Sequence, residues 1–321
     1  MKRVLCFLLI FGCVNILQAQ DSTAHGRMQR TKKWLGKNIF ISPSLHSYEP
    51  NIITYSYDGY ENAEQYMNFN ISIGTELTRQ WYIVPVMTFA FSGRFGQYIG
   101  VRESSPVIAK RFNPKIVFKW DTIDLGIVNS NEFFRSISLS YAHESNGQSI
   151  TSKDAFDGLW SSLQVDDPEA TITEAKDYIS RGWDYLELVA EFKKYNLLNA
   201  DLTAQISIKE FLDNGLLQGE PENIYEFETW RTKNDIQNRD QIDGVSALVK
   251  WRSRENQWKI ALLYNTGRSG AFEHHSFRIE GMKRCILPLL LYYSYGYGRD
   301  WAQYYEKVHA FGAGFEFISW N

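Results

Sequence analysis

The amino-acid sequence predicts an all-β fold, a transmembrane antiparallel β-barrel of twelve strands, on three observations. From about residue 66 onward, apolar and polar residues alternate with period two in segments of about ten residues, the length a tilted strand needs to cross a bilayer. The connections between these segments alternate between short and long, as they do on the two rims of a membrane barrel. The last segment, VHAFGAGFEF (308–317), has an aromatic face suited to a closing strand whose outer side is lipid.

In chain order the strands are expected near 46–56, 67–77, 81–92, 111–120, 135–146, 183–194, 202–212, 243–252, 256–266, 275–285, 287–298 and 308–319. TRQ (78–80), NLLNAD (196–201), SREN (253–256) and the join at 285–288 are short. The connections 93–110, 147–182, 213–242, 267–274 and 299–307 are longer and carry much of the Gly, Asp and Asn. The connection 121–134 is longer than its rim predicts. In QWKIALLYN, Trp258, Ile260, Leu262 and Tyr264 share one face, with Lys259, Ala261 and Leu263 on the other. A soluble sandwich also alternates, but strand length and loop asymmetry favour the barrel.

The chain opens MKRVLCFLLIFGCVNILQAQDS, two basic residues followed by an apolar run too short to span a bilayer as a helix. This reads as a signal peptide over residues 1–20, with the barrel domain over 21–321 and an outer-membrane destination. Of three cysteines only Cys285 then remains, so no intrachain disulfide is expected. A net charge of -3 with scattered basic residues gives no nucleic-acid stripe.

One strand carries chemistry. In RSISLSYAHES, Ile137, Leu139, Tyr141, His143 and Ser145 share a face opposite Ser136, Ser138, Ser140 and Ala142. The apolar face bears the histidine and the serine, where lipid favours nothing polar without a reason. Residues two apart on a strand lie roughly 6.5–7 Å from each other, within reach of an imidazole–hydroxyl pair. A serine activated in this way needs a third group to orient the histidine. Asp157, in DAFDGLW, and Asp184, in SRGWDYLELVAEF, are the candidates. Asp184 shares its face with Leu186 and Leu188, which favours it over the loop residue Asp157, because same-face residues of neighbouring strands meet at about 5 Å.

YAHESNG (141–147) followed by SRGWD (180–184) resembles the outer-membrane phospholipase A family, whose pattern is an aromatic, His-x-Ser-Asn-Gly, a loop, then Ser-Arg-x-Trp-Asn. SSPVIAKRFNP (104–114), YSYGYGRD (293–300) and VHAFGAGFEF extend the resemblance over most of the expected mature chain. It implies a calcium-dependent carboxylic ester hydrolase (phospholipase A1/A2) acting on membrane phospholipid and active as a homodimer. Carried over residue by residue, Ser145 is the nucleophile, His143 the general base, Asp184 the third member, and the Gly147 N–H an oxyanion donor. Calcium (Ca2+) would take main-chain oxygens of Ser104 and Gln148 and the side chain of Ser180, the Ser104-type ligand coming from the partner subunit. Two departures stand out: Asp replaces the family's Asn at 184, and residues 150–179 resemble an insertion between the motifs. Another barrel lipid hydrolase, of lipid A deacylase type, and a non-catalytic porin or adhesin barrel are the alternatives.

Overall fold

The computed structural model describes residues 44–317 apart from 59–64, 82, 101–106, 123–132, 198, 219–235, 237 and 286. The expected signal peptide, and Ser104, lie outside the described residues. Thirteen strands form one antiparallel sheet, and twelve of them close a barrel. These are β1 (Ile52–Asp58), β2 (Gln65–Glu76), β3 (Val86–Ile99), β4 (Val107–Asp121), β5 (Phe134–Ser145), β6 (Gly182–Leu197), β7 (Ala200–Phe211), β8 (Gly244–Ser253), β9 (Trp258–Gly267), β10 (His275–Lys283), β11 (Leu289–Gly296) and β12 (Val308–Glu316). Each pairs with its neighbours in sequence, and β12 pairs back onto β1, which removes the sheet edge. The two-residue stretch Leu45–His46 adds to the end of β2.

Every expected strand has a counterpart, with shifts of local cause. The third begins at Val86 rather than 81, because Trp81 and Val84 bridge across a tight turn that leads into Pro85. It then runs on to Ile99 through GRFGQYI (93–99), which the sequence marks as loop. Gly96 is a packing adjustment there, since a Cβ would overlap the Tyr66 ring. The fourth likewise starts earlier, at Val107, and the first lies later, at Ile52–Asp58. The connection 147–182 holds two helices, α1 (Lys153–Asp166) and α2 (Ile172–Lys176). Ser152 caps α1 by accepting from the Ala155 N–H at 3.3 Å, and Phe156 packs on Ala175 and Ile179.

The two surfaces of the barrel invert the arrangement of a soluble protein. Thr54, Ser56, Ser72, Ser92, Asn113 and Lys115 are buried on the inside. Ile71, Phe89, Leu188, Ile260, Leu262 and Phe311 are exposed on the outside. Leaving such side chains in water forgoes roughly 1.5–3 kcal/mol each, so this belt belongs in lipid. The chain is therefore an integral outer-membrane protein that crosses with strands. Among the described residues no helix is long and apolar enough to cross. Short turns follow β6 and β8 on one rim, whereas the rim reached by β5 carries the long connections, the extracellular side in such barrels.

Inside the outer rim, Ile236, residues 238–243 and loop 297–307 pack on the inward aromatics of β6 and β7. Trp183, Tyr185, Phe211, Ile242, Tyr304 and Tyr305 form one buried cluster. Farther in lies a cavity of about 640 Å³ lined by Lys115, Lys119, Glu187, Glu191, Lys250 and Glu280 among others.

Candidate active site

The β5–β6 ladder places His143 directly opposite Asp184 and Ser145 opposite Gly182. Because side chains alternate along a strand, Tyr141, His143 and Ser145 point outward with Asp184, while Ala142, Glu144, Trp183 and Tyr185 are buried on the inside. Asp184 Oδ1 lies 2.6 Å from His143 Nδ1. This leaves Nε2 as the nitrogen directed away from the carboxylate. The Ser145 hydroxyl makes no hydrogen bond among the described residues, so it is free to turn toward that edge. Both side chains flank Gly182, where a Cβ would stand 3.7 Å from His143 Cε1 and 3.8 Å from Ser145 Cβ.

Asp184 is fully buried despite lying on the lipid-facing side. An isolated carboxylate there would be costly, and this one is satisfied by donors. Its Oδ2 accepts from the Tyr141 hydroxyl, from the Leu217 N–H at 2.7 Å and from the Gln218 N–H at 3.2 Å. Asp157, by contrast, lies on α1, exposed and paired with Lys153 one turn away. The strand pairing brings Asp184 to His143, and the helix carries Asp157 elsewhere.

After Ser145 the chain turns through Gly147, whose φ of +61° is left-handed and whose Cβ would stand 3.1 Å from Phe112. Glycine suits the position on both counts. Among the described residues the Gly147 N–H has no acceptor. Asn146 ties the two motif segments together. Its Nδ2 donates to the Ile179 carbonyl at 2.8 Å, while its Oδ1 accepts from the N–H groups of Arg181 (2.9 Å) and Gln148 (3.2 Å). Ile150 and Ile179 bridge, and the Ser180 N–H donates to the Ile150 carbonyl at 2.8 Å. The stretch between 150 and 179 therefore leaves and re-enters at one point, with α1 and α2 as an appendage. Gln148 and Ser180, two of the three expected calcium ligands, lie on these stitched segments.

The site has an inner support. Asn113 Nδ2 donates to the His143 carbonyl at 2.9 Å and to the Tyr185 hydroxyl at 3.0 Å. Glu144 pairs with Arg111 and Arg239, each at 3.2 Å, and the Arg239 guanidinium lies 3.6 Å from the centroid of the Trp301 ring. Arg181 donates through Nε (3.2 Å) and Nη2 (3.1 Å) to the Ala302 carbonyl and so holds loop 297–307. Sequence reasoning missed Tyr141 as a carboxylate partner, Asn146 as the stitch, and the stretch 212–218 over Asp184. Its one signal is NGLL (214–217), an apolar pair after Asn-Gly in an otherwise polar connection.

The fold resembles solved phospholipase barrels. The outer membrane phospholipase (OMPLA) dimer with bound calcium from Salmonella typhi aligns with a TM-score of 0.58 and 13% identity, over 86% of this chain and 93% of that one. Outer membrane phospholipase A from Escherichia coli aligns with a TM-score of 0.56 and 13% identity, over 87% and 100%. No protein-family model and no curated protein sequence matches the chain. The class defined is an outer-membrane antiparallel barrel of twelve strands. Within that class the chain shares the fold of outer membrane phospholipase A.

Proposed function

We propose that this protein is a calcium-dependent outer-membrane phospholipase A that hydrolyses acyl ester bonds of phospholipids. The observation that carries the reading is the His143–Asp184 pair at 2.6 Å, with Ser145 two residues along, on a surface that faces lipid. A soluble substrate gives no reason to put a histidine and a carboxylate in an apolar belt, whereas a lipid reaches them sideways within the membrane. The likeness in fold to the two phospholipases supports the same reading.

In the mechanism Asp184 holds the proton of His143 on Nδ1, so that Nε2 is the base. Ser145 Oγ attacks the ester carbonyl carbon as its proton passes to Nε2. The carbonyl oxygen becomes an oxyanion beside the Gly147 N–H, whose lack of another acceptor suits it to this task. Collapse breaks the acyl–oxygen bond, and the departing lysophospholipid alkoxide takes the proton from His143. A water activated by the same imidazole then releases the fatty acid.

The proposed calcium ligands are hard neutral oxygens, which fit the ion by donor type. Gln148 would offer its carbonyl, Ser180 its hydroxyl and Ser104 its carbonyl. When bound, calcium supplies positive charge that stabilises the oxyanion.

Detergent-folded protein treated with a fluorophosphonate probe tests the proposal. Labelling and phospholipid hydrolysis are expected together, and both are expected to vanish in Ser145→Ala. Labelling that persists in that variant would remove Ser145 from the role.

A further inference from the structure

Beyond β7 the chain turns back and covers the acid of the pair. The Leu212 N–H donates to the Asp184 carbonyl at 2.9 Å, and Gln218 Oε1 accepts the Asp184 N–H at 3.1 Å. Between them, Leu217 and Gln218 aim their N–H groups at Asp184 Oδ2. Tyr141 bridges the two elements, donating to the same oxygen and accepting the Leu216 N–H at 2.6 Å. Gly215 lies so close that a Cβ there would overlap the Asp184 carboxylate. Leu216 is 88% exposed and Leu217 59%, so the apolar side chains of this stretch turn outward while its amides turn inward.

This arrangement makes a chemical choice. An oxygen facing three donors has to be an acceptor, and its partner oxygen faces His143 Nδ1. A carboxylate satisfies both sides. An amide at 184 would set its NH2 against the Leu217 and Gln218 N–H groups and the Tyr141 hydroxyl, or else turn it toward Nδ1. In the second case Nδ1 must be the unprotonated nitrogen, which leaves the proton on Nε2 and removes the base that Ser145 needs. The family pattern this chain resembles carries Asn at this place.

We propose that residues 212–218 form a positioning clamp that requires an acid at residue 184, with Tyr141 and Gly215 as its determinants. The inference rests on the proposed ester hydrolysis by Ser145. Neither Tyr141 nor the clamp touches the reacting atoms, and both act through Asp184 on the tautomer and orientation of His143.

The test is turnover of a defined phospholipid in detergent, as kcat and KM, with circular dichroism verifying the barrel of each variant. Asp184→Asn is expected to lose about 10⁴ in kcat with little change in KM. Gly215→Ala, which lifts the clamp from the carboxylate, is expected to lose about 10². Tyr141→Phe should cost about tenfold in the wild-type background and nothing further in an Asp184→Ala background, since its effect passes through that carboxylate. Asp184→Asn within tenfold of wild type, or Tyr141→Phe costing the same in both backgrounds, would overturn the clamp. A wild-type protein that neither hydrolyses phospholipid nor labels at Ser145 defeats the functional proposal itself, a result visible before any variant is compared.

Discussion

The two faces of the β5–β6 ladder use adjacent residues for opposite ends. Outward, His143, Ser145 and Asp184 sit among Leu139, Leu186 and Leu188, and their polar partners come from Tyr141 and one short backbone segment. Inward, Glu144, Trp183 and Tyr185 are cross-linked by Arg111, Arg239 and Asn113. A strand's period of two turns neighbours in sequence toward different media. The lumen side can thus fix the backbone, as Asn113 does at the His143 carbonyl, without placing a competing polar group near the outer side chains. The outward His143 is thereby anchored from behind.

The sharpest test of that division compares two carboxylates. Asp184→Ala should lower kcat by about 10³–10⁴ with the fold retained, because it removes the group that fixes the histidine tautomer. Asp157→Ala should be indistinguishable from wild type, since its carboxylate pairs with Lys153 on the exposed face of α1. Turnover of one phospholipid in one detergent decides the matter. A crippled Asp157→Ala beside a near-normal Asp184→Ala would contradict the outward site as drawn.

The next test concerns charge. On the inner face Arg111 and Arg239 meet Glu144, whereas Tyr141, His143, Ser145 and Asp184 include no lysine or arginine. If calcium supplies that charge, a strong chelator should lower hydrolysis by about 10² or more, and added Ca2+ should restore it, whereas Mg2+ should do so poorly because it is smaller and sheds water reluctantly. Activity indifferent to chelation would exclude the proposed ligands Gln148, Ser180 and Ser104.

Much of this architecture is legible in the sequence for one physical reason. In a sheet with different media on its two sides, alternation assigns every residue a face, and two residues on the same face of neighbouring strands can meet. From RSISLSYAHES and SRGWDYLELV that argument puts His143 and Asp184 on one face, able to meet if the register matches, and the ladder pairs them directly. Other features are hidden because they depend on partners distant in sequence. Gly96 reads as a loop signal until Tyr66 is seen above it. The GRFGQ stretch therefore reads as the start of a connection, although it continues β3. KDAFDGLWSSLQVD reads as polar insertion because its helix buries Phe156 within its own module, in a cluster with Ala175 and Ile179. The clamp is less visible still, since its amides act on a residue about 34 positions earlier. Nothing local in DNGLLQ marks an acceptor.

A smaller effect on turnover than chelation, and the one that most isolates the inner face, is expected from Arg239→Ala. Arg239 is buried, pairs with Glu144 at 3.2 Å and Asp243 at 2.6 Å, and stacks on Trp301. Its removal leaves Glu144 with Arg111 and Asp243 with Lys209, which should cost about 3 kcal/mol of stability, in the range for breaking a buried ion pair. The loss should depend on pH in a definite direction. Burial resists ionisation of Asp243, but Lys209 and Arg239 outweigh it and hold the carboxyl below its ordinary range. A carboxyl depressed in the folded state contributes stability above its unfolded value, and that contribution is lost as pH falls through the depressed one. Removing Arg239 moves the folded value back up, so the gap between variant and wild type should be widest near neutrality. It should narrow once pH drops below about 4, where unfolded carboxylates protonate. Denaturant unfolding in detergent at several pH values measures this gap. Turnover per folded molecule should change by less than tenfold, since Glu144 keeps Arg111 and the His143 carbonyl keeps Asn113. A variant as stable as wild type at neutral pH would show that the ion pairs of Arg239 with Glu144 and Asp243 do not hold the inner face together.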